Sequence, residues 1–99
     1  MKTVWVSGAS TGIGFATAKK FLNNNWKVII SSSNDQKLLL AKKQLLLKSE
    51  NKELYAYKCD ISDRIQVTET INKIIKQVGN INLAILNAAA YAPNKEQVF

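Results

Sequence analysis

The sequence predicts a doubly wound α/β fold on a parallel sheet, and three observations predict it. Apolar runs of strand length alternate with segments of helical periodicity. Their order is strand, helix, strand, helix, strand, helix, strand. Three of the four glycines fall within SGASTGIG, Ser7 to Gly14, directly after the apolar run Val4-Trp5-Val6. Such alternation reads as successive βαβ units, whose crossovers lay helices on both faces of one sheet.

Thr3 to Ser7 is the first strand, because Val4, Trp5 and Val6 are strand formers in an unbroken apolar run that ends at glycine. Helical character begins near Gly12, with Ile13, Ala16, Ala18, Phe21 and Leu22 as its apolar side. Asn23-Asn24-Asn25 ends that helix, since asparagine tolerates a left-handed backbone. Val28-Ile29-Ile30 forms the second strand. Beyond Ser31-Ser32-Ser33, either Ser33 or Asn34 can cap a second helix that runs through LLLAKKQLLL to about Lys48. Its six leucines cover more than half the circumference, interrupted by Lys42 and Lys43, so the pattern singles out no buried face. Leu54-Tyr55-Ala56-Tyr57 alternates into a third strand that ends at Lys58-Cys59-Asp60. Ser62 and Asp63 open a third helix with Val67, Ile71, Ile74, Ile75 and Val78 on one face, and Gly79 closes it. Leu83 to Leu86 is the fourth strand and leads to Asn87.

The chain of 99 residues fits one small domain or part of one, and a chain near this size buries roughly two thirds of its unfolded surface. Fourteen basic residues against 7 acidic ones give a formal charge of +7. The lysines, among them Lys19, Lys20, Lys42, Lys43, Lys73 and Lys76, are scattered over helical segments without interleaved aromatics. They read as a solvated surface, and no nucleic-acid partner is expected. Cys59 is the only cysteine, which excludes an internal disulfide, and its surroundings mark it as a small core residue. With no histidine in the chain, no metal site is expected. Met1-Lys2 leads straight into the first strand, and no apolar run reaches the roughly 18 residues of a membrane span. A cytoplasmic location without a membrane partner is the expectation.

A glycine turn between a buried strand and a helix offers backbone N–H groups and the positive end of the helix dipole to an anion, and phosphate suits it. In open α/β sheets that position, beyond the carboxyl end of the first strand, is where ligands sit. The nucleotide P-loop requires Gly-Lys-Ser/Thr after a four-residue gap, whereas from Gly8 those places hold Ile13 and Gly14, so that alternative fails. The actual spacing is G-x-x-x-G-x-G at Gly8, Gly12 and Gly14.

With that spacing, SGASTGIG resembles the cofactor loop of the short-chain dehydrogenase/reductase family, T-G-x-x-x-G-[IL]-G, with Ser7 in place of threonine. Ala16 and Ala18 match small residues that let the family's first helix lie close on the sheet. KCDISD resembles the family's strand-end aspartate, and GNINLAILNAAA is similar to its G-x-[IL]-D-x-L-[VI]-N-N-A-G. Asn82, Leu86 and Ala89 depart from that last pattern, and Trp26 replaces a small residue. The resemblance implies a Rossmann-type sheet and NAD(P)-dependent hydride transfer between nicotinamide and a carbonyl or alcohol. It implies cofactor contacts at Gly8, Ser10, Thr11, Gly12, Ile13 and Gly14. It places the adenine at Asp60 and Ile61, and further contacts at Asn87, Ala88 and Ala89. A side chain at Gly14 is expected to push the pyrophosphate off the helix terminus.

Cofactor choice is written at the end of the second strand, where a carboxylate would bind the ribose hydroxyls of NAD. Ser32 stands there instead. The hydroxyls of Ser32 and Ser33, with Thr11 across the loop, suit the 2′-phosphate of NADP, so NADP is favoured over NAD. The resemblance also implies a catalytic Y-x-x-x-K, and Tyr91-Ala-Pro-Asn-Lys95 matches it literally. Pro93 between the pair breaks the helix turn that both side chains must share, so no catalytic residue is assigned. The chain therefore reads as residues 1–99 of the N-terminal, first βαβαβαβ part of one Rossmann domain, without the catalytic half. The alternative is a non-catalytic dinucleotide-binding or regulatory module. The complete protein is expected to be a homo-oligomer acting on a small carbonyl or alcohol.

Overall fold

Seven elements follow one another in a computed structural model that describes residues 1–87: β1 (Thr3–Ser7), α1 (Gly12–Asn23), β2 (Lys27–Ser32), α2 (Asp35–Lys48), β3 (Leu54–Lys58), α3 (Arg64–Gln77) and β4 (Leu83–Ile85). The strands form one parallel sheet in the order β3-β2-β1-β4. β1 is flanked on both sides, pairing Val4 with Val28 and Leu83, and Val6 with Ile30 and Ile85. Every residue of β1 is buried, which is why its sequence is an unbroken apolar run rather than an alternating one.

Strand alternation divides the core in two. On one face Val4, Val6, Val28 and Ile30 pack with Ala18 and Leu22 of α1 and with Leu38, Ala41 and Leu45 of α2. On the other, Trp5, Ile29 and Cys59 pack with Ile74, and Val67 and Ile71 of α3 and its C-cap residue Val78 close over them. Each fully buried aliphatic side chain contributes about 1.5–3 kcal/mol relative to exposure. The two clusters are thus what holds the helices to the sheet.

Helix ends follow local chemistry. Asn34 caps α2, its side-chain oxygen accepting from the Lys37 N–H at 2.9 Å. Asp63 caps α3, accepting from the N–H groups of Ile65 at 3.0 Å and Gln66 at 3.3 Å, while the Gln66 amide returns a bond to the same carboxylate. Asn25, just beyond α1, takes the left-handed backbone with φ 66°. Trp26 stacks edge-on against Phe21 with ring centroids 4.8 Å apart. Asn51 donates to the carbonyls of Leu22 and Trp26, tying the approach to β3 onto the end of α1.

The helix faces differ in part from the sequence expectation. In α1 the buried stripe is Gly14, Ala18 and Leu22 at four-residue spacing, so Ile13 is 79% exposed and Ala16 also faces away from the sheet. In α2 the buried residues are Leu38, Ala41 and Leu45, leaving Leu39, Leu40 and Leu47 on the outside. In α3 the buried positions are Thr70 and Ile74, and Ile75, about 100° further round, is 48% exposed. β4 ends at Ile85, and Leu86 is exposed beyond it. Among the described residues no helix is long and apolar enough to cross a membrane.

The two neighbouring isoleucines of α3 provide a test. Ile74→Ala is expected to cost about 2–5 kcal/mol by opening a cavity against Trp5 and Ile29. Ile75→Ala is expected to stay within about 0.5 kcal/mol. Urea unfolding of both variants checks this, and equal losses would mean that α3 packs on the broader face its sequence suggests.

Candidate functional site

Parallel strands present their carboxyl ends on one side, so Ser7, Ser32, Asp60 and Asn87 meet around the loop between β1 and α1. The shape of that loop depends on missing β-carbons. Gly8 has φ 64°, and a Cβ there would lie 2.9 Å from the Asn87 carbonyl oxygen, so the end of β4 closes against the loop. A Cβ on Gly14 would collide with the Gly8 carbonyl, lying 2.8 Å from its carbon and 3.0 Å from Cα of Ala9. The first turn of α1 therefore rests directly on the loop that precedes it. Gly12, φ 63°, is different, since a Cβ there would meet nothing within 4 Å. A side chain at Gly14 would thus first meet the loop itself, and the open position is Gly12.

The N-terminus of α1 also differs chemically from those of α2 and α3. Thr11 is its N-cap residue but makes no side-chain capping hydrogen bond. The first N–H groups of any helix lack intrahelical partners. In α2 and α3 Asn34 and Asp63 satisfy some of them, whereas the glycine loop leaves those of α1 with no side-chain cap. They carry the positive end of the helix dipole, equivalent to roughly half an elementary charge.

Hydrogen bonds fix the strand ends around this terminus. The Ala9 N–H donates to the Ser31 carbonyl at 3.2 Å, and the Asn87 N–H donates to the Ser7 hydroxyl at 2.8 Å. Below them the Trp5 indole N–H donates to the Ser31 hydroxyl at 2.9 Å. At the tip of β2 the Ser32 hydroxyl reaches Ser10, at 3.4 Å, and accepts from the Asn34 N–H at 3.1 Å. The partner of Ser32 across the loop is therefore Ser10, while Thr11 lines the same cleft as Ser32 and Ser33. At the far end of β1 the Asn82 side-chain oxygen accepts from the Thr3 N–H at 2.8 Å, a bond for which asparagine serves as well as aspartate.

Asp60 lies just past β3. Its Oδ1 accepts from the Ser62 hydroxyl at 2.7 Å and the Ser62 N–H at 3.0 Å, and these bonds lower its pKa from 3.8. The carboxylate is thus ionised at neutral pH and serves as an acceptor. Gln66 holds the backbone of Asp60 by accepting its N–H at 3.0 Å.

These groups surround one cleft of about 500 Å³. Gly8, Ser10, Thr11, Gly12, Ile13, Gly14, Ser32, Ser33, Asp60, Ile61 and Asn87 all line it. Ala88 and Ala89, like Tyr91, Pro93 and Lys95, lie outside the described residues. Asn34, Lys37, Cys59 and Ser62 line the cleft as well, and sequence reasoning did not place them there. Cys59 is nonetheless the buried core residue it was expected to be. Lys37 had a legible signal: it stands three residues after the cap Asn34, and helical side chains lean toward the N-terminus. A smaller cavity of about 360 Å³ between α1 and α2, lined by Phe15, Lys19, Leu45 and Leu47 among others, includes no strand end. Among the described residues no group of three or more His, Cys, Asp or Glu side chains is placed to hold a metal ion. The lining offers what a phosphate-bearing molecule requires: an uncapped helix terminus beside an open glycine, and a polar strand end on either side.

Comparison with known proteins gives a consistent result. The profile of the family described as short chain dehydrogenase matches residues 2–98. A "Probable NADP-dependent mannitol dehydrogenase" of Yarrowia lipolytica is 36% identical over 87 residues, which are 88% of this chain and 31% of that protein. The 15-hydroxyprostaglandin dehydrogenase [NAD(+)] of Macaca fascicularis is 30% identical over 87 residues, 88% of this chain and 33% of that protein. Among solved structures, menthone neomenthol reductase from Mentha piperita superposes with a TM-score of 0.81 at 26% identity, covering 88% of this chain and 31% of that one. The chain thus spans about a third of the length of these proteins.

The two kinds of glycine separate in a stability experiment. Gly14→Ala is expected to cost about 3 kcal/mol or more, because neither the Gly8 carbonyl nor the first turn of α1 can move without displacing the other. Gly12→Ala is expected to cost about 1–2 kcal/mol, the strain of a left-handed backbone alone. Thermal unfolding of both variants measures the difference, and a smaller loss at Gly14 would contradict the packing described.

Proposed function

The chain belongs to the short-chain dehydrogenase family, and we propose that it forms the cofactor-binding part of an NAD(P)-dependent oxidoreductase, with the pyrophosphate seated on the N-terminus of α1. The reading is supported most directly by that terminus, which has no side-chain cap and faces a cleft beside the open position of Gly12. An anion there would satisfy donors that the helix leaves unpaired. In this reading Asp60 accepts from the adenine amino group and Ile61 packs beside the ring. Asn87 holds the nicotinamide end of the cleft.

NADP is preferred to NAD because the tip of β2 offers the hydroxyls of Ser32 and Ser33 in place of a carboxylate. The mannitol dehydrogenase relative, NADP-dependent by its name, is in line with this choice, while the prostaglandin dehydrogenase relative uses NAD(+) by its name. When bound, the nicotinamide supplies hydride chemistry, and the family's reaction between a carbonyl and an alcohol is proposed for the whole protein acting on a small molecule. This chain's share is to bind, orient and discriminate the cofactor.

Titration of NADPH and NADH fluorescence with the purified chain tests the proposal. The chain is expected to bind NADPH more tightly, and Ser32→Asp to shift the preference toward NADH by about tenfold, the equivalent of about 1.4 kcal/mol. A carboxylate there accepts the ribose hydroxyls and repels a 2′-phosphate. Absence of binding by both cofactors would refute the function, and equal loss of both in the variant would remove Ser32 from the ribose site.

A further inference from the structure

Resting on the dinucleotide reading of the cleft, we propose that Lys37, in the first turn of α2, is the cation that recognises a phosphate on the adenosine 2′-oxygen. The tip of β2 supplies hydroxyls but no charge: Ser31, Ser32, Ser33 and Asn34 follow in sequence with neither an arginine nor a lysine among them. Hydroxyls alone leave a phosphomonoester dianion without a counter-charge, and a nearby cation adds a Coulombic attraction that neutral donors lack. Lys37 supplies that charge from the next element. It lines the same cleft as Ser32 and Ser33 and is exposed along its stem.

Its position follows from a short run of hydrogen bonds. The Ser10 and Ser32 hydroxyls meet across the loop, the Asn34 N–H donates to Ser32, and the Asn34 side chain accepts from the Lys37 N–H. These bonds bring the glycine loop, the tip of β2 and the first turn of α2 side by side. Helical side chains lean toward the N-terminus, which from Lys37 is the direction of Asn34 and the end of β2, in keeping with its place in the cleft lining. Asp35, the acidic residue nearest in sequence, does not line the cleft, so no carboxylate of this segment opposes an anion there. The Ser32–Ser10 contact is long, at 3.4 Å, and a hydroxyl can rotate to a better acceptor without moving the backbone. The first-turn N–H groups of α2 add their partial positive charge in the same direction. Lysine reaches as a point charge on a flexible stem, so the recognition should weaken with salt.

Adenosine 2′,5′-bisphosphate and 5′-AMP differ only in the 2′-phosphate, and calorimetric titration of the full chain with each isolates the step. The chain is expected to bind the bisphosphate about tenfold or more tightly than 5′-AMP. Lys37→Gln should remove most of that ratio while leaving 5′-AMP affinity unchanged, and Lys37→Arg should preserve it. The side-chain change leaves the cap intact, since Asn34 binds the Lys37 backbone. Lys42→Gln, the same loss of charge on the same helix but away from the cleft, should leave the ratio unaltered. An unchanged ratio in Lys37→Gln, or an equal fall in Lys42→Gln, would overturn the assignment. Failure of both nucleotides to bind the unaltered chain would instead overturn the reading of the cleft on which it rests.

Discussion

The contact between the first turn of α1 and the loop beneath it is the constraint from which the rest of the site follows. Gly14 lies against the carbonyl of Gly8, closer than any β-carbon would allow. That closeness brings the N-terminus of the helix to the carboxyl edge of the sheet without an intervening side chain. It also forces Gly8 into a left-handed backbone beside Asn87, so the same turn that seats the helix seats the end of β4. A side-chain cap, as used by α2 and α3, is absent from α1, and its orphan N–H groups remain for an anion.

The sheet order makes this arrangement useful. β1 lies between β2 and β4, so the loop after β1 is flanked by the tips of both. Chain direction reverses its lateral progress at β1, and such switch points open a crevice between neighbouring loops. The apolar layers on either face hold the strands in register, while the hydroxyls of Ser31, Ser32 and Ser7 link β2 to β1, β2 to the glycine loop, and β1 to Asn87 beyond β4. Small hydroxyl side chains at strand ends thus provide hydrogen bonds without filling the cleft.

Much of this was legible in the sequence because the signals were local. Strand runs, the caps at Asn34 and Asp63, and the glycine cluster each depend on a few consecutive residues, and most of the cleft residues came from motifs of that kind. Helix orientation was less legible. Ile13, Ala16 and Ile75 are apolar yet exposed, because helical periodicity defines a broad arc and the sheet covers only part of it. The leucines of α2 are the extreme case, with Leu38 and Leu45 buried and Leu39, Leu40 and Leu47 outside. A motif names Gly14 without saying which way the missing β-carbon would point, and that direction, against the Gly8 carbonyl, is a property of the folded loop. The place of Lys37 is legible only indirectly, through its position one turn after the cap at Asn34 rather than through any motif.

The central claim is that the N-terminus of α1 carries the ligand's phosphates, and amide chemical-shift mapping of the isotopically labelled chain during NADPH titration tests it most directly. The account predicts that the largest shifts fall on the N–H groups of Gly12, Ile13 and Gly14, with smaller ones at Ser32, Ser33 and Asp60. Saturable binding that leaves those three amides unmoved, or that instead shifts residues between α1 and α2 such as Lys19 and Leu47, would contradict it.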